Sequence, residues 1–325
     1  MAKKKLTKQQ KRRIDQNIQR QLLDDNLPQH KGRVISNFNE TVDVETYTGE
    51  IIRCFQKRNL GSIVTGDYVL YTYDNSKSPD GLIHAVCKRQ NLLERPQTYG
   101  KNKAIAANID QIFIVIATKP EPIGHYIDRY LVATHTQNLL PIIILNKIDL
   151  GIDDSIKQLI KRYESLNYQV LLTSATNQNE LTPLESVLKD KTSIFVGQSG
   201  VGKSALLNTL YGKEITKTGN ISEINKRGKH TTTSAKLYHP PKGGSLIDSP
   251  GIREFGIWHL SEADILNGFI EFRPFIGLCK FRNCNHQLST PGCAIAQAVN
   301  DGKINQQRLI NYHRLIAEIN ENQRA

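Results

Sequence analysis

Two patterns of apolar positions divide the chain. Between Gly32 and about Leu93, short runs alternate apolar and polar residues: RVISNF, TVDVETYTG, EIIRCF, GDYVLYTY and GLIHAVCKR. A period of two marks a half-buried strand. Turn signals at Tyr47-Thr48-Gly49 and Ser78-Pro79-Asp80-Gly81 separate the runs. Five short strands in so small a segment predict a small β-barrel. From Asn108 the runs become continuously apolar: QIFIVIAT (111–118), PIIILN (141–146), QVLLTSA, SIFVG (193–197) and GGSLID (243–248). Helical stretches such as HYIDRYLVATHTQ, DSIKQLIKRYESL, LTPLESVLKD and KSALLNTLYG fall between them. Strands buried on both faces and alternating with helices predict an α/β fold with a doubly wound, mostly parallel sheet. Beyond Trp258 the pattern is helical with a cysteine-rich interruption, and the last helix carries Ile304, Leu309, Tyr312, Leu315, Ile316 and Ile319 near helical spacing.

Length and charge refine this outline. At 325 residues the chain is too long for one ordinary domain. The patterns divide it into a basic arm (1–30), a barrel (31–93), an α/β domain (94–260) and a cysteine-bearing helical domain (261–325). The net charge is +12, and residues 1–20 contribute +7 of it, with eight basic residues against Asp15. A polyanion, above all nucleic acid, is the expected partner of such an arm and of a basic barrel. No apolar run is long enough to span a bilayer, and the charged N-terminus lacks the apolar stretch of a secretory signal. The expectation is a cytoplasmic monomer with no membrane partner.

Candidate chemistry begins where SIFVG enters a helix. Gly197, Gln198, Ser199, Gly200, Val201, Gly202, Lys203 and Ser204 fit G-x-x-x-x-G-K-[ST] in the context it needs, after a strand and before a helix. Glycines there let successive N–H groups turn toward phosphate oxygens, and the helix terminus adds a favourable dipole. Lys203 is expected at the β- and γ-phosphates, the Ser204 hydroxyl on Mg²⁺, and Ala205 in the same nucleotide-binding turn. Asp248-Ser249-Pro250-Gly251 ends another strand. There Asp248 can hold the Mg²⁺ shell and the Gly251 N–H can meet the γ-phosphate.

Asn146-Lys147-Ile148-Asp149 follows PIIIL. Asp149 can accept hydrogen bonds from guanine N1–H and the exocyclic amine, a donor pair that adenine lacks, so GTP is expected over ATP. The stem of Lys147 can cover the base, Asn146 can tie its loop to the phosphate loop, and Thr173, Ser174 and Ala175 can offer N–H groups to guanine O6. The first switch is expected at 227–233 (RGKHTTT), with Thr232 or Thr231 on Mg²⁺. Ile252 follows Gly251 where many GTPases carry a water-orienting glutamine, so slow intrinsic hydrolysis is expected, with His230 as the nearest candidate to orient water. A second reading draws on the same Ile252: an RNA-binding regulator for which GTP is only a structural ligand. In familiar GTPases the guanine motif comes after the phosphate loop. Here it comes first, which a circular permutation of one sheet explains, with the segment 181–188 linking the usual last strand to the usual first.

Of five cysteines, Cys279, Cys284 and Cys293 crowd together with His286 in the pattern C-x₄-C-x-H-x₆-C. Three thiolates and an imidazole make a closed tetrahedral set for one structural Zn²⁺.

The motif order NKID, TSA, GQSGVGKS, KHTTT, DSPG and then C-x₄-C-x-H-x₆-C resembles the circularly permuted GTPases that act on the small ribosomal subunit, the RsgA type. The stretch RPQTYGKNKAIAANIDQIFIV is similar to that family's entry into the GTPase domain, and the resemblance covers nearly the whole chain. It implies an N-terminal OB-fold, a permuted GTPase domain and a C-terminal zinc domain. It further implies binding to the immature 30S subunit and its 16S rRNA, with GTP hydrolysis stimulated by the subunit and linked to release. His230 matches the family's catalytic histidine, and Cys279, Cys284, His286 and Cys293 match its zinc ligands.

Overall fold

The computed structural model describes residues 30–38, 40–57, 60–73, 81–95, 102–212, 235–249 and 260–324. The chain divides into two compact units, 1–90 and 91–325.

In the first unit the alternating runs form β1 (His30–Asn37), β2 (Thr41–Glu45), β3 (Ile51–Gln56), β4 (Tyr68–Tyr73) and β5 (Gly81–Val86). Strands β1, β2 and β3 make an antiparallel meander, β3 pairs parallel with β5, and β4 pairs antiparallel with both β5 and β1. The sheet therefore closes on itself as an OB-like barrel. Its alternating inward residues, Val42, Val44, Ile52, Cys54, Val69, Tyr71 and Ile83, fill the interior. Gly81 is required by the close approach of β3, since a Cβ there would lie 2.5 Å from Cys54 Sγ. Asp67, sealed from solvent, accepts the Val64 N–H at 2.8 Å and the Arg89 guanidinium at 2.6 and 2.7 Å. That pair fastens the segment after β5 to the turn before β4.

The second unit opens with a hairpin, β6 (Leu92–Arg95) against β7 (Lys103–Ala107). Its main sheet comprises β8 (Gln111–Ala117), β9 (Leu140–Asn146), β10 (Gln169–Leu172), β11 (Thr192–Val196), β12 (Lys236–Tyr238) and β13 (Ser245–Asp248). The spatial order is β10-β9-β8-β11-β13-β12, parallel except for β12, which pairs antiparallel with β13. Every residue of β8 is buried, as its unbroken apolar run requires. Helices α1 (Gly124–Thr136), α2 (Asp154–Glu164), α3 (Thr182–Leu188) and α4 (Lys203–Tyr211) connect these strands. From β8 the chain winds one way through β9 and β10. Through α3 it then returns to β11 on the other side of β8 and winds the opposite way to β13. The gap between the carboxyl ends of β8 and β11 is thus a switch point, where open α/β sheets bind ligands.

After the sheet come α5 (Glu262–Gly268), α6 (Ala294–Asn300) and α7 (Gln306–Arg324). A capping box at Ser261 and Asp264 starts α5. Both α5 and α7 pack on α1. Gly268 permits the contact with α1, because a Cβ there would lie 2.8 Å from both Val132 methyls. Among the described residues, no helix is long and apolar enough to cross a membrane.

Candidate nucleotide site and metal centre

The phosphate loop leaves β11 with a backbone that only glycine tolerates. Gly197, Gly200 and Gly202 have φ of +143°, +82° and +95°. A Cβ on Gly197 would lie 2.2 Å from the Val115 carbonyl oxygen of β8. Val201 is buried and anchors the loop beneath, in the core that holds Leu206, Leu207 and Leu210 of α4. Lys203 opens α4, and its ammonium bridges the loop by donating to the Gly197 and Gln198 carbonyls at 2.6 Å each. Ser204 and Ala205 follow in the first turn of α4. An N-terminal helix turn with glycines at these angles directs N–H groups and a positive dipole end into one cradle.

The guanine motif is bolted to that loop. Asn146, buried at the end of β9, donates from Nδ2 to the Val201 carbonyl at 2.9 Å. Gly202 makes room for it, since a Cβ there would lie 2.3 Å from Asn146 Nδ2. Lys147 adopts the left-handed conformation at φ +61°, and its Nζ donates to the carbonyls of Lys119 at 2.8 Å and Gly200 at 2.6 Å. The lysine stem thereby spans from the motif to the phosphate loop. Thr118 and Lys119, at the end of β8, escaped the sequence reading. The Thr118 hydroxyl donates to the Lys147 carbonyl at 2.7 Å. Only their place at the carboxyl edge of a buried strand could have pointed to them.

Asp149 is exposed beside this frame, and one of its carboxylate oxygens accepts a hydrogen bond from the Ser174 hydroxyl. Thr176 shares that hydroxyl at 2.8 Å. The Thr173 N–H, expected to face the base, instead donates to the Leu145 carbonyl at 2.8 Å and extends the sheet ladder. Thr173 is fully buried, and its hydroxyl lies 3.4 Å from Asn146 Oδ1. It braces the site, and the N–H groups of Ser174 and Ala175 remain the donors suited to a base. The Ala175 carbonyl accepts from Thr209 of α4 at 2.9 Å, a second tie between the guanine loop and the phosphate-loop helix.

Asp248 ends β13, paired with Lys236 of β12, so its carboxylate lies on the same carboxyl edge of the sheet as the phosphate loop. His230, Thr232 and Gly251 lie outside the described residues, as does Ile252.

The four candidate metal ligands converge. One donor atom from each of Cys279, Cys284, His286 and Cys293 lies within 4.8 Å of the others. His286 Nδ1 is 3.6 Å from both Cys279 Sγ and Cys293 Sγ, and those sulfurs are 3.9 Å apart. A tetrahedron with bonds of about 2.0–2.3 Å has edges of about 3.3–3.8 Å, so this donor set fits Zn²⁺. His286 takes a left-handed backbone at φ +57°, and its carbonyl accepts from His313 of α7 at 3.2 Å. Cys293 caps α6, accepting the Ala296 N–H at 3.3 Å. Burial pushes the Cys293 thiol up to about 11. Burial acts the same way on Cys279, but hydrogen bonds from the Ala294 N–H and the neighbouring thiols outweigh it and lower that group. Burial lowers His286, with help from His313, keeping the imidazole in the neutral form that ligates metals.

Comparison with known proteins agrees with this geometry. The family described as RsgA GTPase matches residues 86–258. A protein of Marinobacter nauticus named small ribosomal subunit biogenesis GTPase RsgA is 46% identical over 91% of this chain and 86% of its own. A protein of Klebsiella pneumoniae with the same name is 46% identical over 97% of this chain and 95% of its own. Among solved structures, YjeQ from Thermotoga maritima superposes with a TM-score of 0.71 at 32% identity, covering 90% of this chain and 98% of that one. YloQ, described as a circularly permuted GTPase, gives 0.69 at 28% identity over 90% and 96%. The permuted motif order, the sheet that reunites it and these relatives together place the chain in the RsgA GTPase family, and it is a GTP-hydrolysing enzyme.

Proposed function

We propose that this GTPase acts in late maturation of the small ribosomal subunit. It binds the immature 30S particle through 16S rRNA, hydrolyses GTP faster on the particle than alone, and leaves as the GDP form. The observation that carries the nucleotide half is the Asn146–Val201 bond, which ties the guanine loop to the phosphate loop. Full-length likeness to proteins named for small-subunit biogenesis supports the ribosomal half.

In this reading Asp149, held by Ser174, accepts the guanine N1–H and amine. Lys147 covers the base, and the Ser174 and Ala175 N–H groups meet O6. N–H groups from 197–205 surround the phosphates, and Lys203 exchanges its loop carbonyls for the β- and γ-oxygens. Ser204, Asp248 and Thr232 would hold Mg²⁺, which would supply charge neutralisation at the phosphates. Gly251 meets the γ-phosphate, and His230 orients the attacking water in place of a glutamine. Cys279, Cys284, His286 and Cys293 hold one Zn²⁺ whose work is structural. The segments 1–30, 31–93, 94–260 and 261–325 act as basic arm, RNA-binding barrel, GTPase domain and zinc domain of a cytoplasmic monomer.

Sedimentation through a sucrose cushion tests this. The chain should pellet with 30S subunits in a non-hydrolysable GTP analogue and stay above them in GDP. Equal pelleting in both states, or none, contradicts the reading.

A further inference from the structure

The barrel carries a cavity of about 760 Å³ between β1, the β2–β3 turn and β4. Its lining is unlike an ordinary hydrated surface. Tyr47 is 94% exposed and Tyr73, packed on one side against His30 and Tyr71, is still 44% exposed, so both rings present surface to solvent. The turn that presents Tyr47 is braced: the Thr46 hydroxyl accepts the Thr48 N–H at 3.2 Å and the Glu50 N–H at 3.1 Å. The His30 ring lies 5.0 Å from Tyr73 and 5.8 Å from Tyr71, continuing the aromatic surface inward.

Cations flank these rings. Lys31 Nζ and the Arg33 guanidinium lie 5.1 and 5.5 Å from the Tyr68 ring centre, at the edge of the same cavity. Glu45 and Glu50 also line it. Carboxylates would oppose a site that merely tracks phosphates, but they can accept hydrogen bonds from the amino edge of a base. Aromatic faces for stacking, adjacent cations for a phosphate and acceptors for an exocyclic amine together describe one ligand class. A base inside a duplex exposes neither its face nor its pairing edge to a concave wall.

From this geometry we infer that the barrel cavity takes an unpaired, amino-bearing nucleotide of RNA, stacked on Tyr47 and Tyr73 with its phosphate toward Lys31 and Arg33. The inference rests on the RNA-binding reading of the barrel and adds the strandedness of the RNA and the residues that meet it.

Fluorescence anisotropy of the full chain with labelled octaadenylate, octauridylate and a twelve-base-pair RNA duplex tests it across a salt series. Octaadenylate should bind at least about tenfold tighter than the duplex and more tightly than octauridylate. Tyr47→Ala and Tyr73→Ala should each weaken octaadenylate binding about fivefold or more with no change in salt slope, and Tyr→Phe at each position should restore it. Lys31→Ala should instead lower the slope by about one. If RNA still binds but prefers the duplex, or ignores both Tyr→Ala changes, the cavity is not a base site and the RNA-binding reading survives. If no RNA binds at all, both fall.

Discussion

Arg308 of α7 and Asp128 of α1 stand 180 positions apart in the chain and form a hydrogen-bonded ion pair from which solvent is excluded. The same guanidinium donates to Glu271 at 2.6 and 3.1 Å, and Asp128 also accepts from Tyr163 at 2.7 Å and Asn311 at 2.6 Å. Phe269 lies beneath the guanidinium at 4.5 Å. Burial alone would lower the Arg308 pKa, but the two carboxylates raise it and keep the guanidinium charged, while burial raises Asp128 against the pull of Arg308 and of the Tyr163 and Asn311 hydrogen bonds. The helices of the region that carries the Cys₃His cluster are therefore fastened to the helix that follows the first strand of the GTPase sheet.

Breaking this pair should be costly. Arg308→Met leaves Asp128 and Glu271 as uncompensated buried carboxylates, a loss of about 3–5 kcal/mol. Lys157→Ala removes an exposed pair with Asp154 and should cost under about 0.5 kcal/mol. Urea denaturation of both variants checks the contrast, and equal midpoints would refute it.

Gly202 separates two consequences of an added methyl group. Gly202→Ala places Cβ 2.3 Å from Asn146 Nδ2 at a positive φ, so it should both destabilise the fold by about 1–3 kcal/mol and weaken GDP binding at least about tenfold. Gly212→Ala, with φ +73° and nothing within 4 Å, carries the backbone strain alone. Calorimetric titration of GDP should find its affinity unchanged.

Much of this site was legible because its chemistry is local. Phosphate cradles, guanine acceptors and thiolate sets each need a few residues at fixed spacing, so 197–204, 146–149 and 279–293 stood out as candidates, and the fold joins the first two and gathers the Cys279, Cys284, His286 and Cys293 donors. The strands were legible where burial on both faces leaves a run of apolar residues, as from Ile112 to Ala117 in β8. The three-residue strand β12, just before Pro240 and Pro241, carries too short a pattern to read. The Arg308–Asp128 pair was illegible for another reason. In sequence each is an ordinary polar residue on an amphipathic helix, and only tertiary packing makes either one exceptional. Thr173 was misread because its N–H could serve the base or the sheet, and pairing with Leu145 decides for the sheet.

Acid should reveal the same buried region through His135. Burial lowers its pKa to about 4, aided by the charges of Arg273 and Arg308, and its Nε2 lies 2.8 Å from the Tyr168 hydroxyl. The unfolded chain binds this proton near pH 6.5 and the folded chain near 4, so stability falls as pH drops through that window. Allowing for the ring's partial exposure, about 1–2 kcal/mol should be lost to this group between pH 7 and 4.5. In His135→Gln the denaturation midpoint should fall less steeply over the same range.

Metal removal should lower thermal stability. His313 and Tyr312 of α7 contact His286, and α7 also carries Arg308, so loosening the ligand set reaches the GTPase sheet through one helix. One Zn²⁺ per chain should be released by a chelator, with a fall of several degrees in Tm. An unchanged melt after complete release would show that the metal does not brace the fold.

The most direct test of the central claim is the rate of GTP turnover with and without purified 30S subunits, for the wild-type chain and for His230→Ala. Subunits should stimulate the wild type at least about tenfold, while His230→Ala should bind GTP with unchanged affinity and turn over about 100-fold more slowly on the subunit. Equal wild-type rates with and without subunits, across a range of salt, would contradict the account.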